Sequence, residues 1–140
     1  MITNETLKLL DELHGLNTSE DRLTWLSERS PIHPPFPLDH ATPARRVPGC
    51  MTGLWLESIK QDDALFFMAY SDSRIVGGVA SFLCDLYSGL SSAAIIDIGE
   101  RYRREIKLEG LLTATRRNAI QKVMDFILKS AENERVLQKS

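Results

Sequence analysis

Cys50 is the residue of this chain whose type and setting most invite chemistry. It stands in RVPGCMTGLWL, directly after Pro48-Gly49 and just before an apolar run. A thiolate is a strong nucleophile and a soft metal ligand, so the thiol could be a reactive carrier, a ligand, half of a disulfide or a buried filler. The glycine permits sharp backbone geometry and leaves its neighbour uncrowded. Arg45-Arg46 lies close by, and a nearby cation favours thiolate over thiol. The second cysteine, Cys84, sits between Leu83 and Asp85 in an apolar helical stripe. That is the ordinary setting of an inert, buried cysteine.

The apparatus that would complete other chemistries is not legible. There is no CxxC, no HExxH and no dense acidic loop, which argues against a metal centre. His14, His33 and His40 are far apart in sequence and read as surface or hydrogen-bonded residues. Neither GxGxxG nor GxxxxGK[ST] occurs, so no phosphate cradle is readable. Gly77-Gly78 reads as a packing feature, Arg45-Arg46 and Arg116-Arg117 as a solvated face, and Asp72 as a helix cap. What stands out is a thiol at a bend with no base in sight. A group that only receives and hands on an atom needs less machinery than a hydrolase.

The elements that must position this thiol follow from periodicity. ETLKLLDELHGL reads as a short amphipathic helix stopped at Gly15, and LNTSEDRLTWLSERS as a second, with Thr18 and Asp21 at capping-box-like spacing. SPIHPPFPLDHATP, with five prolines, should be an extended and irregular wrap holding His33 and His40. GLWLESIKQ and ALFFMAY read as a β-hairpin turning at Gln61-Asp62-Asp63. The first strand alternates weakly, since Trp55 falls on its more polar face. The second is apolar on both faces, as for a central or helix-covered strand. Ser71 or Asp72 can cap the next helix, whose glycine pair costs about 1 kcal/mol per residue, a cost that makes sense if another element packs closely there. Gly89 closes it, and Ser91 or Ser92 can start a short helix. Residues 99–112 are charged and mixed, without a clear pattern. The last helix is capped by Thr113 or Thr115 and buries Ile120, Val123, Met124, Phe126 and Ile127. The plan is α+β, with a short antiparallel sheet packed against several helices. A single domain over 1–140 is expected, with residues 1–19 and 130–140 peripheral.

Bulk properties agree. The chain of 140 residues is 43% hydrophobic and 26% charged, with a formal charge of −2, so a globular core is expected. That charge gives no broad attraction to nucleic acid or an anionic membrane. The opening MITNETLKLLDELHG carries acidic residues and no uninterrupted apolar run, and RIVGGVASFLCDLYSGL is broken by Asp85. A cytoplasmic location with both cysteines as free thiols is expected.

In three blocks the sequence resembles the SufE/CsdE family of sulfur acceptors in iron–sulfur cluster assembly. They are RVPGC with LWL (Arg46–Cys50, Leu54–Leu56), SDSRIVGGVASFLCDLYSG (Ser71–Gly89) and LTATRRNAI (Leu112–Ile120). With looser similarity around Asp21–Leu26, the resemblance spans roughly 20–128. It implies that Cys50 receives persulfide sulfur from a cysteine desulfurase (SufS/CsdA-like), stimulates that enzyme, and passes the sulfur to an iron–sulfur scaffold protein. Arg46, Val47, Pro48 and Gly49 correspond to the presenting loop, Asp72 to an acidic residue beside it, and Arg116 and Asn118 to a polar pair of the last helix. Met51 and Thr52 complete the loop. On this resemblance the chain holds no cofactor of its own, and pyridoxal phosphate belongs to the desulfurase. It is an accessory to sulfur transfer more than an independent enzyme. The family usually follows its cysteine with a glutamine-like residue, a serine and another long polar residue. Here they are Met51, Thr52 and Gly53, and Ala119 replaces a common glycine. A divergent regulatory or binding module without sulfur transfer, or a small thiol redox protein, are the alternatives.

Overall fold

The computed structural model describes residues 4–29, 36–106, 110 and 112–139. The expected wrap loses its first part to this limit, and His33 lies outside the described residues.

Two helices open the chain, α1 (Asn4–His14) and α2 (Ser19–Glu28). Thr18 caps α2, its hydroxyl accepting the Asp21 N–H at 3.0 Å. The expected peripheral placement of residues 1–19 does not extend to the second half of α1: Leu10 and Leu13, one turn apart, are both buried in the core. At the other end Ala131 is buried, whereas Val136 and Leu137 are exposed.

The hairpin forms as expected from β1 (Leu54–Gln61) and β2 (Ala64–Ser71), in register from Leu54 opposite Ser71 to Gln61 opposite Ala64. The turn is Asp62-Asp63, and Asp62 takes a left-handed φ of 57°, which aspartate tolerates better than most residues. A third strand, β3 (Leu90–Ser91), pairs with β2, so β2 is central in the order β1-β2-β3. Leu54, Leu65 and Phe67 on the inner face are buried, while Ile59, Phe66 and Tyr70 on the outer face are partly exposed.

Trp55 has its reason on that outer face. The chain just before the loop runs back over β1 in two tight helical turns, Leu38–His40 and Pro43–Arg45. Phe36 stacks on Tyr70, Tyr70 meets Trp55 at a tilt, and the Trp55 indole N–H donates to the Thr42 carbonyl at 2.7 Å. His40 and Arg45 both reach the Glu57 carboxylate. The weak alternation of β1 thus reflects a covered outer face.

The central helix α3 (Arg74–Tyr87) is buried on nearly all sides. Its cap is Ser73, whose hydroxyl accepts the Val76 N–H at 3.3 Å, and neither Ser71 nor Asp72. Those two side chains are engaged elsewhere, as described below. The glycine pair meets its expected neighbour: a Cβ on Gly78 would lie 1.9 Å from the Leu26 carbonyl oxygen, so the backbones of α2 and α3 touch there. Arg29 fastens the junction, lying over the rings of Trp25 and Phe82 and pairing with Asp85 at 2.7 Å.

Two short helices follow, α4 (Ser92–Ile98), capped by Ser91, and α5 (Arg101–Glu105) within the unpatterned stretch. The last helix, α6 (Ala114–Lys139), starts under Thr113, whose hydroxyl accepts the Arg116 N–H at 3.2 Å. Ile120, Val123, Met124 and Ile127 are buried against the core, and half-buried Phe126 meets Phe67 edge to face. Among the described residues, no helix is long and apolar enough to cross a membrane.

Candidate functional site

The Cys50 loop runs from Arg46 to Gly53, between the second helical turn and β1. Side chains from the β2–α3 junction and from α6 meet on it, beside Arg46 of the loop itself. The loop is closed at its base by the Val47 N–H donating to the Leu54 carbonyl at 2.8 Å. Gly49 adopts φ 75°, a left-handed turn that favours glycine. This turn directs Cys50 inward: its residue surface is 9% exposed and it joins the buried core cluster, while the next residue, Met51, is 84% exposed.

The β2–α3 junction holds the loop's far end. Asp72 accepts the Gly53 N–H on Oδ1 at 3.0 Å, and its own N–H donates to the Gly53 carbonyl at 3.3 Å. The Ser71 hydroxyl donates to that same carbonyl at 2.7 Å and accepts the Ser73 N–H. Both candidate helix caps therefore serve the cysteine loop, which leaves the capping of α3 to Ser73. Gly53 is essential to this arrangement, because a Cβ there would lie 2.2 Å from Asp72 Oδ2. The departure to glycine is thus the space into which the carboxylate fits.

Two more side chains hold the near end. Arg46 Nη2 donates to the Met51 carbonyl at 2.9 Å and reaches the Cys50 carbonyl at 3.4 Å. From α6, Asn118 Nδ2 donates to the Gly49 carbonyl at 3.0 Å. One turn further along the same face, the Lys122 ammonium packs beside Gly49, 3.4 Å from where a Cβ would stand.

The structure therefore brings Arg46, Val47, Gly49, Cys50, Met51, Asp72 and Asn118 to one place, with Pro48 exposed and Thr52 half-buried in the same loop. Arg116 is apart from this set. It is two positions from Asn118, about 200° around the helix, and its side chain makes no hydrogen bond to the loop. Its neighbour Arg117 turns back to the Leu112 carbonyl. Sequence reasoning missed Ser71 and Lys122. Lys122 carried a signal, its i+4 spacing from Asn118, whereas Ser71 is recruited only through the strand pairing of Leu54 with Ser71.

Chemically, the site is a thiol among backbone clamps. No histidine hydrogen-bonds Cys50 among the described residues: His14 contacts Glu105, and His40 is paired with Glu57 across the sheet's outer face. Cys50 and Cys84 are both free. Burial, reinforced by the charge of Asp85, pushes the Cys84 thiol well above its usual range, which suppresses its reactivity. Among the described residues, no cluster of histidine, cysteine and carboxylate side chains could hold a metal ion. The arrangement can present one nucleophilic sulfur, once the loop is released, and shelter it otherwise.

The chain is similar to several known proteins. Residues 7–131 match the family model described as an Fe-S metabolism associated domain. Over 106 residues the chain is 31% identical to the chloroplastic quinolinate synthase of Nicotiana tabacum, covering 74% of this chain but only 14% of that protein's length. An uncharacterized SufE-like protein of Rhizobium etli is 27% identical over 131 residues, with 89% of this chain and 88% of the relative covered. The solution structure of a hypothetical protein from Thermus thermophilus superposes with a TM-score of 0.72 at 18% identity, covering 95% of this chain and 97% of that one. That last likeness concerns the fold.

Proposed function

We propose, from the premise that the chain belongs to the SufE family and so to iron–sulfur metabolism, that Cys50 accepts sulfur from a cysteine desulfurase and carries it onward. The observation that supports this most is the loop itself. Its lone thiol sits between two glycines, Gly49 and Gly53, and is held inward by side-chain and backbone hydrogen bonds that motion can break. Such a loop keeps a labile persulfide away from water and stray thiols, and can extend into a partner.

In the reaction, Cys50 loses its proton and attacks the outer sulfur of a persulfide on the desulfurase cysteine. A bond forms between Cys50 Sγ and that sulfur, the donor's S–S bond breaks, and its electron pair leaves on the donor cysteine as thiolate, which takes up a proton in place of the one Cys50 released. The product is a persulfide on Cys50 and a regenerated desulfurase thiol. Pyridoxal phosphate would belong to the desulfurase, where it would supply the activation of the cysteine substrate. The described part of this chain offers backbone clamps in place of a general base, so the partner's pocket completes the activation of the thiol. The sulfur then goes to an iron–sulfur scaffold protein, and a cytoplasmic setting fits free thiols.

Stimulation of the desulfurase tests this reading. With cysteine as substrate, the wild-type chain should raise the rate of alanine formation at limiting reductant, and Cys50→Ser should not. Equal stimulation by both proteins would instead indicate a binding module that acts without carrying sulfur.

A further inference from the structure

A sulfur donor must bring its outer sulfur into contact with Cys50 Sγ, since reacting atoms meet at about 3–3.5 Å. The residue beside Cys50 therefore lies inside that contact however the loop opens. Here it is Met51, the most exposed large apolar side chain of the described residues at 84%. Its backbone is held through its carbonyl by Arg46, so the side chain is offered outward from an ordered loop. A thioether in that position contributes little to the fold. It is flexible and polarisable, suited to filling an apolar hollow on another protein.

Lys122 supplies an independent observation. Its ammonium lies against Gly49, on the same side of α6 as the Asn118 clamp, and it forms no ion pair among the described residues. A cation left without a carboxylate at the edge of a contact surface favours a partner that brings one.

We propose, resting on the sulfur-acceptor reading, that Met51 and Lys122 form a two-point recognition surface that selects the desulfurase. The matching surface is an apolar socket beside the donor's persulfide cysteine, with a carboxylate at its rim facing Lys122. Met51 enters the socket and Lys122 pairs with the carboxylate. The surface also excludes: a desulfurase built to hydrogen-bond a glutamine-like residue beside the acceptor cysteine would have its polar groups stranded against the thioether.

The test titrates the chain into a desulfurase it stimulates and reads half-saturating concentration and maximal rate separately. Met51→Gln should raise half-saturation about tenfold or more, as loss of a buried methionine contact implies, with a much smaller change in maximal rate. Met51→Leu should restore most of the difference. Lys122→Glu should raise half-saturation at low ionic strength, and the gap to wild type should close at high salt as the charges are screened. Half-saturation of Met51→Gln at the wild-type concentration would overturn the proposal, as would a Lys122→Glu defect of the same size at high salt. Failure of the underlying reading looks different, because the wild-type chain would then gain no sulfur on Cys50 at any desulfurase concentration.

Discussion

Replacing Gly53 by alanine should unlatch the cysteine loop without disturbing the core. A Cβ there would stand 2.2 Å from Asp72 Oδ2 and 2.7 Å from Asp72 Cγ. The obstructing atoms belong to a side chain that can rotate, so the overlap is relieved when the carboxylate swings away. The loss is then the Asp72 hydrogen bond to the Gly53 N–H. A charge-assisted bond of this kind contributes about 1.5–3 kcal/mol. Asp72 is exposed, so the lower end applies, about 1.5 kcal/mol. That corresponds to about a tenfold rise in the population with the loop released. Pseudo-first-order labelling of the intact protein with iodoacetamide, followed by mass, reads that population through Cys50. Gly53→Ala and Asp72→Ala should each label about tenfold faster than wild type. Because both remove the same bond, the double variant should also label about tenfold faster, with no further multiplication. Unchanged labelling in Gly53→Ala would refute the latch. Multiplying effects in the double variant would show that the two residues act separately.

Gly78→Ala should behave in the opposite way, as a lesion of the fold. The atoms a Cβ would meet are backbone, Leu26 O at 1.9 Å and Ser27 Cα at 2.7 Å, so α2 and α3 must part. A loss of about 3 kcal/mol is expected from overpacking at such a contact, checked by urea denaturation. Cys84 should show its burial through pH. Its folded-state thiol lies above the ordinary value of 9.0, so the folded state holds the proton more tightly than the unfolded chain. The contribution is complete below pH 9.0 and declines as pH rises beyond it. Cys84→Ala should flatten that alkaline decline in urea midpoints, and native Cys84 should stay unlabelled at pH values where Cys50 reacts.

Much of this was legible in the residues, and the exceptions share a cause. The repeating apolar positions of α3 and α6 mark buried faces because helical period and burial coincide there, and the glycine pair signalled a close approach that Gly78 makes. Cys50 stood out as a thiol at a glycine turn. What could not be read depends on partners distant in sequence. Trp55 looked misplaced until the turn around Thr42 covered it. Ser71 and Asp72 looked like caps because a helix follows, but the loop 18 or 19 residues upstream claims both side chains. Gly53 looked like a lost side chain, whereas its bareness admits the Asp72 carboxylate. The strand β3 is two residues long, too short for any periodicity to announce it.

The proposed transfer of sulfur to Cys50 can be read directly. The most direct measurement incubates the chain with a cysteine desulfurase and cysteine, then traps persulfides and maps them by mass spectrometry. One added sulfur atom is expected on the peptide carrying Cys50, none on that carrying Cys84, and no adduct in Cys50→Ser. Transfer that persists in Cys50→Ser, or a wild-type chain that stays unmodified while its desulfurase turns over, would contradict it.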